Sequence, residues 1–334
     1  VSRAGAPRDV GRDRRRLLAA AVALAILPSP VARAQARKAS VGILAPTSPK
    51  AGDGPDRLEA LLRERARADG RSLVVARRYA EGNIERMPAL ARELATMPVD
   101  VMVVVGAAGA RAARDASATL PIVFYGNFDP VAAGLVASLS RPGGSLTGVL
   151  ISADGTLAAK RFELLREAVP GARRIGVLVP PDPNIGRQVD EIRRAGAASG
   201  VAMSFVEVRG ADYEGAFAKL AADKPAALFV AAHTFFVRDR DAIIALALRH
   251  RLPTMFEWPE QAEAGGLLAY GASLADMYQR VADYVVRILD GAKPGELPVQ
   301  RPERYELVIN LATAQKIGLT VPQSLLLRAD RVIR

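Results

Sequence analysis

Apolar residues fall along this chain in short continuous runs, separated by stretches in which they recur every three or four positions. Residues 39–44, 72–79, 99–105, 121–125 and 145–149 carry the β-branched and aromatic bias of strands. Residues 101–105 are apolar at every position, as expected of a parallel strand covered on both faces. Between these runs, 55–70, 83–97, 107–117 and 131–139 have the spacing of helices. The rhythm then repeats, with strands at 174–179, 203–208, 226–231, 252–256 and 266–270 and helices at 157–169, 186–199, 213–223 and 238–250. Two β-α-β sets of similar size predict an α/β protein made of two doubly wound parallel-sheet lobes. After Tyr270 come a long helix at 274–289, a Gly/Pro-rich link at 291–298, a strand at 305–310 and a short helical piece. These late elements are too few for a third domain and are expected to complete the two lobes. Lobe 1 then takes 38–150 with about 272–297, and lobe 2 takes 151–271 with about 298–334.

Composition narrows the class. Across 334 residues, 50% are hydrophobic and 24% charged, which excludes a disordered or collagen-like chain. The absence of Cys excludes disulfides, thiolate nucleophiles, Cys-ligated zinc and iron–sulfur clusters, and two histidines are too few for a His-rich metal site. No metal and no cofactor is expected. The net charge of +11 points to nucleic acid until its position is considered, because residues 1–34 alone carry +5. The remainder holds no basic run like Arg14-Arg15-Arg16, so no nucleic-acid partner is expected.

Residues 1–34 have the three parts of an export signal: a basic stretch ending at Arg16, an apolar run at 17–27, and Ala32-Arg33-Ala34 after Pro28 and Pro30. Eleven apolar residues are too few to cross a hydrocarbon core about 30 Å thick as a helix. Cleavage after Ala34 and a periplasmic mature chain are expected. Arg14-Arg15-Arg16-Leu17-Leu18 also resembles a twin-arginine motif, which leaves the export route open.

In open α/β sheets ligands sit beyond the carboxyl ends of strands, where helix N–H groups are available. That rule selects residues 46–48, 106–109, 127–130, 181–184 and 233–234. Ser48, Ala107, Ala108, Asn127, Asp129, Asn184, His233 and Thr234 are therefore candidate ligand-binding residues, each also readable as a cap or turn residue. Asp129 in particular is either a helix cap or a carboxylate for an amino-group ligand. Glu260 and Glu263 approach Gly265-Gly266, and Glu260 is a further candidate. Phe235, Phe236, Trp258 and Tyr270 are candidates for stacking on a planar ligand or for plain core packing. His233 has no Ser or Asp partner at motif spacing, and no G-x-S-x-G elbow occurs, so catalytic residues are not assigned. Residues 106–109 lack both the G-x-G-x-x-G spacing and a phosphate-loop Lys, which argues against a dinucleotide site.

Four segments carry a resemblance: PIVFYGNFDPVAAGLVASLSRPGGSLTGV (121–149), KRFELLREAVPGARRIGVLVPPDPN (160–184), EAGGLLAYG (263–271) and YELVINLATAQKIGLTVPQSLLLRAD (305–330). In collinear order they resemble the ABC transporter substrate-binding protein family that includes tryptophan- and tyrosine-binding members. The resemblance implies a periplasmic-binding-protein type I fold, two lobes joined by a hinge, and a small-molecule ligand caught between them. It also implies delivery to the membrane subunits of an ABC permease by a monomeric carrier. Where many relatives have Gly-Thr-Pro-Ala-Ala, this chain has Gly106-Ala107-Ala108-Gly109-Ala110, so carboxylate binding there would rest on backbone N–H groups.

The expected function is thus non-enzymatic capture of a small solute, an amino acid or related compound. A ligand-sensing receptor of the same fold and, more remotely, an α/β hydrolase are the rivals. A cytoplasmic sugar-responsive repressor would need a helix-turn-helix where this chain has its basic-apolar leader.

Overall fold

A computed structural model describes residues 37–49, 54–151, 157–182 and 185–334, together with Val1, Ser2 and Gly5. The chain parts into two units, Val1–Arg37 and Lys38–Arg334, and the cores described below lie in the second. The export-signal reading of 1–34 falls outside the described residues, those three apart.

The first lobe runs β1 (Arg37–Ala45), α1 (Gly54–Ala68), β2 (Arg71–Tyr79), α2 (Met87–Thr96), β3 (Val101–Val105), α3 (Gly106–Ala116), β4 (Ile122–Gly126) and β5 (Leu146–Leu150). Its sheet has the order β2-β1-β3-β4-β5, and β3 pairs in parallel with both β1 and β4. The unbroken apolar run of β3 is explained by its two covered faces. Val101, Val103 and Val105 join Leu58, Leu62, Val281 and Val285 in one core, while Met102 and Val104 join Met87, Leu94 and Ala113 in the other.

The second lobe runs α4 (Ala158–Ala168), β6 (Arg174–Val179), α5 (Gly186–Ala198), β7 (Ala202–Glu207), α6 (Tyr213–Ala222), β8 (Ala227–Val230), α7 (Thr234–Arg238), α8 (Arg240–Arg249), β9 (Thr254–Phe256), α9 (Pro259–Glu263) and β10 (Leu268–Gly271). The chain then forms α10 (Leu274–Leu289), whose Val281, Val285 and Ile288 belong to the first lobe's core. It passes beside β5, where Leu150 N–H donates to Gln300 O and Gln300 N–H to Gly148 O. It ends as β11 (Glu306–Asn310), α11 (Leu311–Ile317), α12 (Gln323–Leu326) and β12 (Arg331–Ile333) in a sheet of order β12-β11-β10-β9-β8-β6-β7.

Five elements depart from expectation, among them α7 and α9, whose five residues each are too few to show a period. The stretch 131–139 is a single turn, not a helix. Asp129 Oδ1 accepts from the N–H groups of Val131 and Ala132, and Gly134 at φ 66° ends the turn there. Strand β11 pairs antiparallel to β10, because the chain returns from the first lobe and enters the sheet at the end where β10 left it. Strand β12, parallel to β11, extends the sheet by three residues that are too few to show a period.

Candidate functional site

Both sheets share one winding. In each, the first strand lies between the second and the third (β2-β1-β3 and β7-β6-β8), so each has its switch point beside its first strand. The carboxyl ends of β1, β3, β4, β6, β8 and β9 supply the lining of two adjoining compartments.

The outer compartment encloses about 410 Å³ and takes residues from both lobes. Its first-lobe wall includes Gly106 to Ala108 at the start of α3 and Tyr125 to Asp129 at and beyond the end of β4. Helix α3 leaves β3 with no intervening loop because Gly106 adopts φ 74°. A Cβ on Gly126 would lie 3.1 Å from Gly106 Cα, so the two glycines let the strand ends approach closely. Asn127 Oδ1 is buried without a hydrogen-bond partner. The facing wall is Pro181, Asp182, Gln188, Ala232 to Phe235 and Trp258. Gln188 holds the end of β8, accepting from Ala232 N–H at 2.6 Å and donating to Ala232 O at 3.2 Å. His233 Nδ1 accepts from Phe235 N–H at 3.3 Å, which puts the ring proton on Nε2, 3.2 Å from Asp182 Oδ2. The Asp partner that sequence spacing did not reveal is therefore supplied across the sheet.

The inner compartment, about 120 Å³, shares Pro46, Val105, Tyr125, Ile151, Thr234 and Trp258 with the outer one. It adds Thr47, Arg57, Arg238, Glu260 and the α10 residues Leu274, Met277 and Tyr278. Trp258 is 2% exposed and its Nε1–H has no partner. Glu260 Oε1 accepts from Ala275 N–H at 3.1 Å and Ser273 Oγ–H at 3.3 Å, while Oε2 is buried and unpartnered. Burial pushes the Glu260 carboxyl above the usual range, and the backbone N–H groups only partly offset this.

Of the candidates, Ala107, Ala108, Asn127, Asp129, His233 and Thr234 line the outer compartment, and Glu260 lines the inner one. Ser48 follows the lining residues Pro46 and Thr47 but lines neither compartment. Tyr270 also lines neither and packs on Tyr305, with ring centroids 6.1 Å apart. Asn184 falls outside the described residues. Sequence reasoning passed over Tyr125 and Gln188. The first reads as a strand core residue and the second as one polar position of an amphipathic helix. Asp182 lay inside a flagged loop but was not singled out.

The model of the family of ABC transporter substrate binding proteins matches residues 56–333, and the chain belongs to that family. A relative, the tyrosine-binding protein of Clostridioides difficile (strain R20291), is 22% identical over 259 residues, 77% of this chain and 74% of that one. A conserved domain protein of Vibrio cholerae O1 biovar El Tor strain N16961 has a structure matching with TM-score 0.75 at 27% identity, over 88% of this chain and 99% of that one. The ABC domain in complex with L-Trp from Streptococcus pneumoniae matches with TM-score 0.73 at 24% identity, over 89% of this chain and all of that one (100%). The fold is the periplasmic-binding-protein type I fold. The family comprises binding proteins, not enzymes, and implies a small-molecule ligand and an ABC permease. Among the described residues, no helix is long and apolar enough to cross a membrane.

Proposed function

We propose that this chain is the extracytoplasmic solute-binding component of an ABC importer, holding an amino acid or related compound between its lobes. The observation that carries the reading is the pair of adjoining compartments, built from strand ends of both sheets and walled by Tyr125, Phe128, Phe235 and Trp258. A planar apolar solute suits such walls. Ala107 and Ala108 would offer backbone N–H groups, and Asn127 and His233 polar contacts. The tyrosine-binding relative and the L-Trp complex support an aromatic amino acid as the first compound to test.

The carrier is proposed to work as a monomer in the periplasm, with residues 38–150 and about 272–297 closing on the remainder and the closed face meeting the permease. Export with cleavage after Ala34 belongs to the same reading, and N-terminal sequencing of the mature protein should begin at Gln35.

A thermal-melting screen against amino acids, aromatic amines and sugars tests the binding role. A solute at ~100 times its Kd stabilises the folded chain by about 2.7 kcal/mol, which a melting curve reads readily. A screen in which no small solute raises the melting temperature would sink the proposal.

A further inference from the structure

Among the described residues, four acids line the two compartments: Asp129, Asp182, Asp241 and Glu260. Asp129 is exposed and caps a turn, Asp182 receives His233 Nε2–H, and Asp241 lies 3.7 Å from Arg240. Glu260 differs from these in holding one oxygen fixed and the other buried without a hydrogen-bond partner. Burying an unmatched carboxylate is costly unless a partner arrives.

The residues that line the inner compartment with Glu260 indicate the kind of partner. Tyr125 and Tyr278 meet edge to face at 5.8 Å between ring centroids, and both line the inner compartment with Trp258. Aromatic rings and a carboxylate lining one compartment are the chemistry that holds an organic ammonium, through cation–π attraction and a charge-assisted hydrogen bond. Arg57, Arg238 and Arg240 also line this compartment. Arg57 is exposed, and Arg238 and Arg240 face Asp239 and Asp241. Their charge suits a carboxylate of the solute, not the ammonium.

Resting on the solute-binding reading above, we infer that Glu260 anchors a protonated amine of the solute in the inner compartment, within the rings of Tyr125, Trp258 and Tyr278. The solute class is then an amine with an aromatic or apolar body. An α-amino acid and a bare aromatic amine share that head, and the arginines decide between them. Trp258 Nε1–H, buried and unpartnered on the same wall, takes an acceptor atom of the solute.

The test uses three probes that differ by one group: L-tyrosine, tyramine, and 3-(4-hydroxyphenyl)propionate, which lacks the amine. Calorimetric titration of the unaltered protein should give the propionate an affinity at least ~30-fold weaker than that of L-tyrosine. Glu260→Gln, which keeps an acceptor for Ala275 N–H, should weaken both amines by a similar factor with little change in melting temperature. Tighter binding of L-tyrosine than of tyramine assigns the arginines a carboxylate, and the reverse assigns a bare amine. Equal affinity for the propionate and L-tyrosine, or wild-type amine affinity in Glu260→Gln, overturns the anchor while leaving solute binding intact. If neither amine binds but the melting screen finds a solute without an amino group, the inference falls and the binding role stands. A screen with no solute at all removes the binding role itself.

Discussion

Asp129 Oδ1 accepts from Val131 and Ala132 N–H at 2.9 and 3.0 Å, so the capping geometry is complete without a ligand. Asparagine offers the same acceptor. Asp129→Asn should therefore leave melting temperature and solute affinity unchanged, whereas Asp129→Ala should cost about 1 kcal/mol through the lost cap. Weakened binding in the Asn variant at unchanged stability would return Asp129 to the ligand site. Arg161 and Glu257 present a harder case, because they are 0% and 1% exposed. Arg161 Nη2 reaches Gln188 Oε1 at 3.5 Å and its Cζ lies 5.2 Å from the Phe229 ring centroid, but Nε, Nη1 and both Glu257 oxygens lack hydrogen-bond partners. Burial raises the Glu257 carboxyl and lowers the Arg161 guanidinium, and each charge partly offsets the other's shift, with Glu191 also acting on Arg161. Removing one partner is therefore asymmetric. Glu257→Gln strands an arginine that stays charged and should cost about 3 to 5 kcal/mol. Arg161→Met should cost less in mild acid, because the stranded Glu257 can take up a proton. Its folded pKa then lies above its unfolded value, so the stability is present below the unfolded value and is lost as pH rises through the folded one. Urea unfolding of Arg161→Met at about pH 5 and about pH 8 should show that loss, and a pH-independent deficit would refute it. The sequence did not disclose this pair, since each residue alone reads as an ordinary solvent-facing charge.

Among the elements, the strands covered on both faces were legible because burial on two sides demands an unbroken apolar run, as in β3 and β4. The stretch 131–139 misled because its Val, Ala and Leu spacing suits a helix, while the Asp129 cap and the φ of Gly134 confine it to one turn. The helices α7 and α9, five residues each, are too short for a period, yet they carry Thr234 and Glu260 into the compartments. Strand-end loops were legible as candidate sites because the α/β winding fixes where ligands sit. Tyr270 and Tyr125 could not be told apart that way, since which face of a strand meets the cleft depends on the sheet's packing. At the junction of β9 and β10 the constraint is on backbone approach: a Cβ on Gly271 would fall onto the Glu257 carbonyl oxygen. Gly271→Ala should therefore destabilise the protein by about 1 to 3 kcal/mol through overpacking. Gly186→Ala is the matched control, because among the described residues nothing lies within 4 Å of the added methyl at the start of α5. Its stability should stay within about 0.5 kcal/mol of the parent. Chemical denaturation of the two variants side by side decides whether close strand approach at Gly271 is a real requirement.

For the whole molecule, the path of the chain limits how the lobes can move. The chain goes from β5 to α4, from β10 to α10, and from α10 past β5 to β11, so three segments join the sheets. The second is the shortest, since Ala272 and Ser273 alone separate β10 from α10. Glu260 of the second lobe reaches over this step to Ala275 N–H of a helix whose apolar side lies in the first lobe's core. A solute that engages Glu260 thus acts on the joint itself as well as on the walls. Only a difference in affinity between open and closed arrangements can drive closure, so a solute bridging both walls should favour the closed one, whereas one confined to a single wall should not. Small-angle scattering of the protein with and without a saturating solute from the melting screen should show a smaller radius of gyration when bound. Glu260→Gln, saturated with the same solute, should show a smaller contraction if the joint is where binding is coupled to closure. An unchanged radius in the unaltered protein at saturation would mean a rigid receptor, whose permease would have to recognise occupancy by some means other than shape.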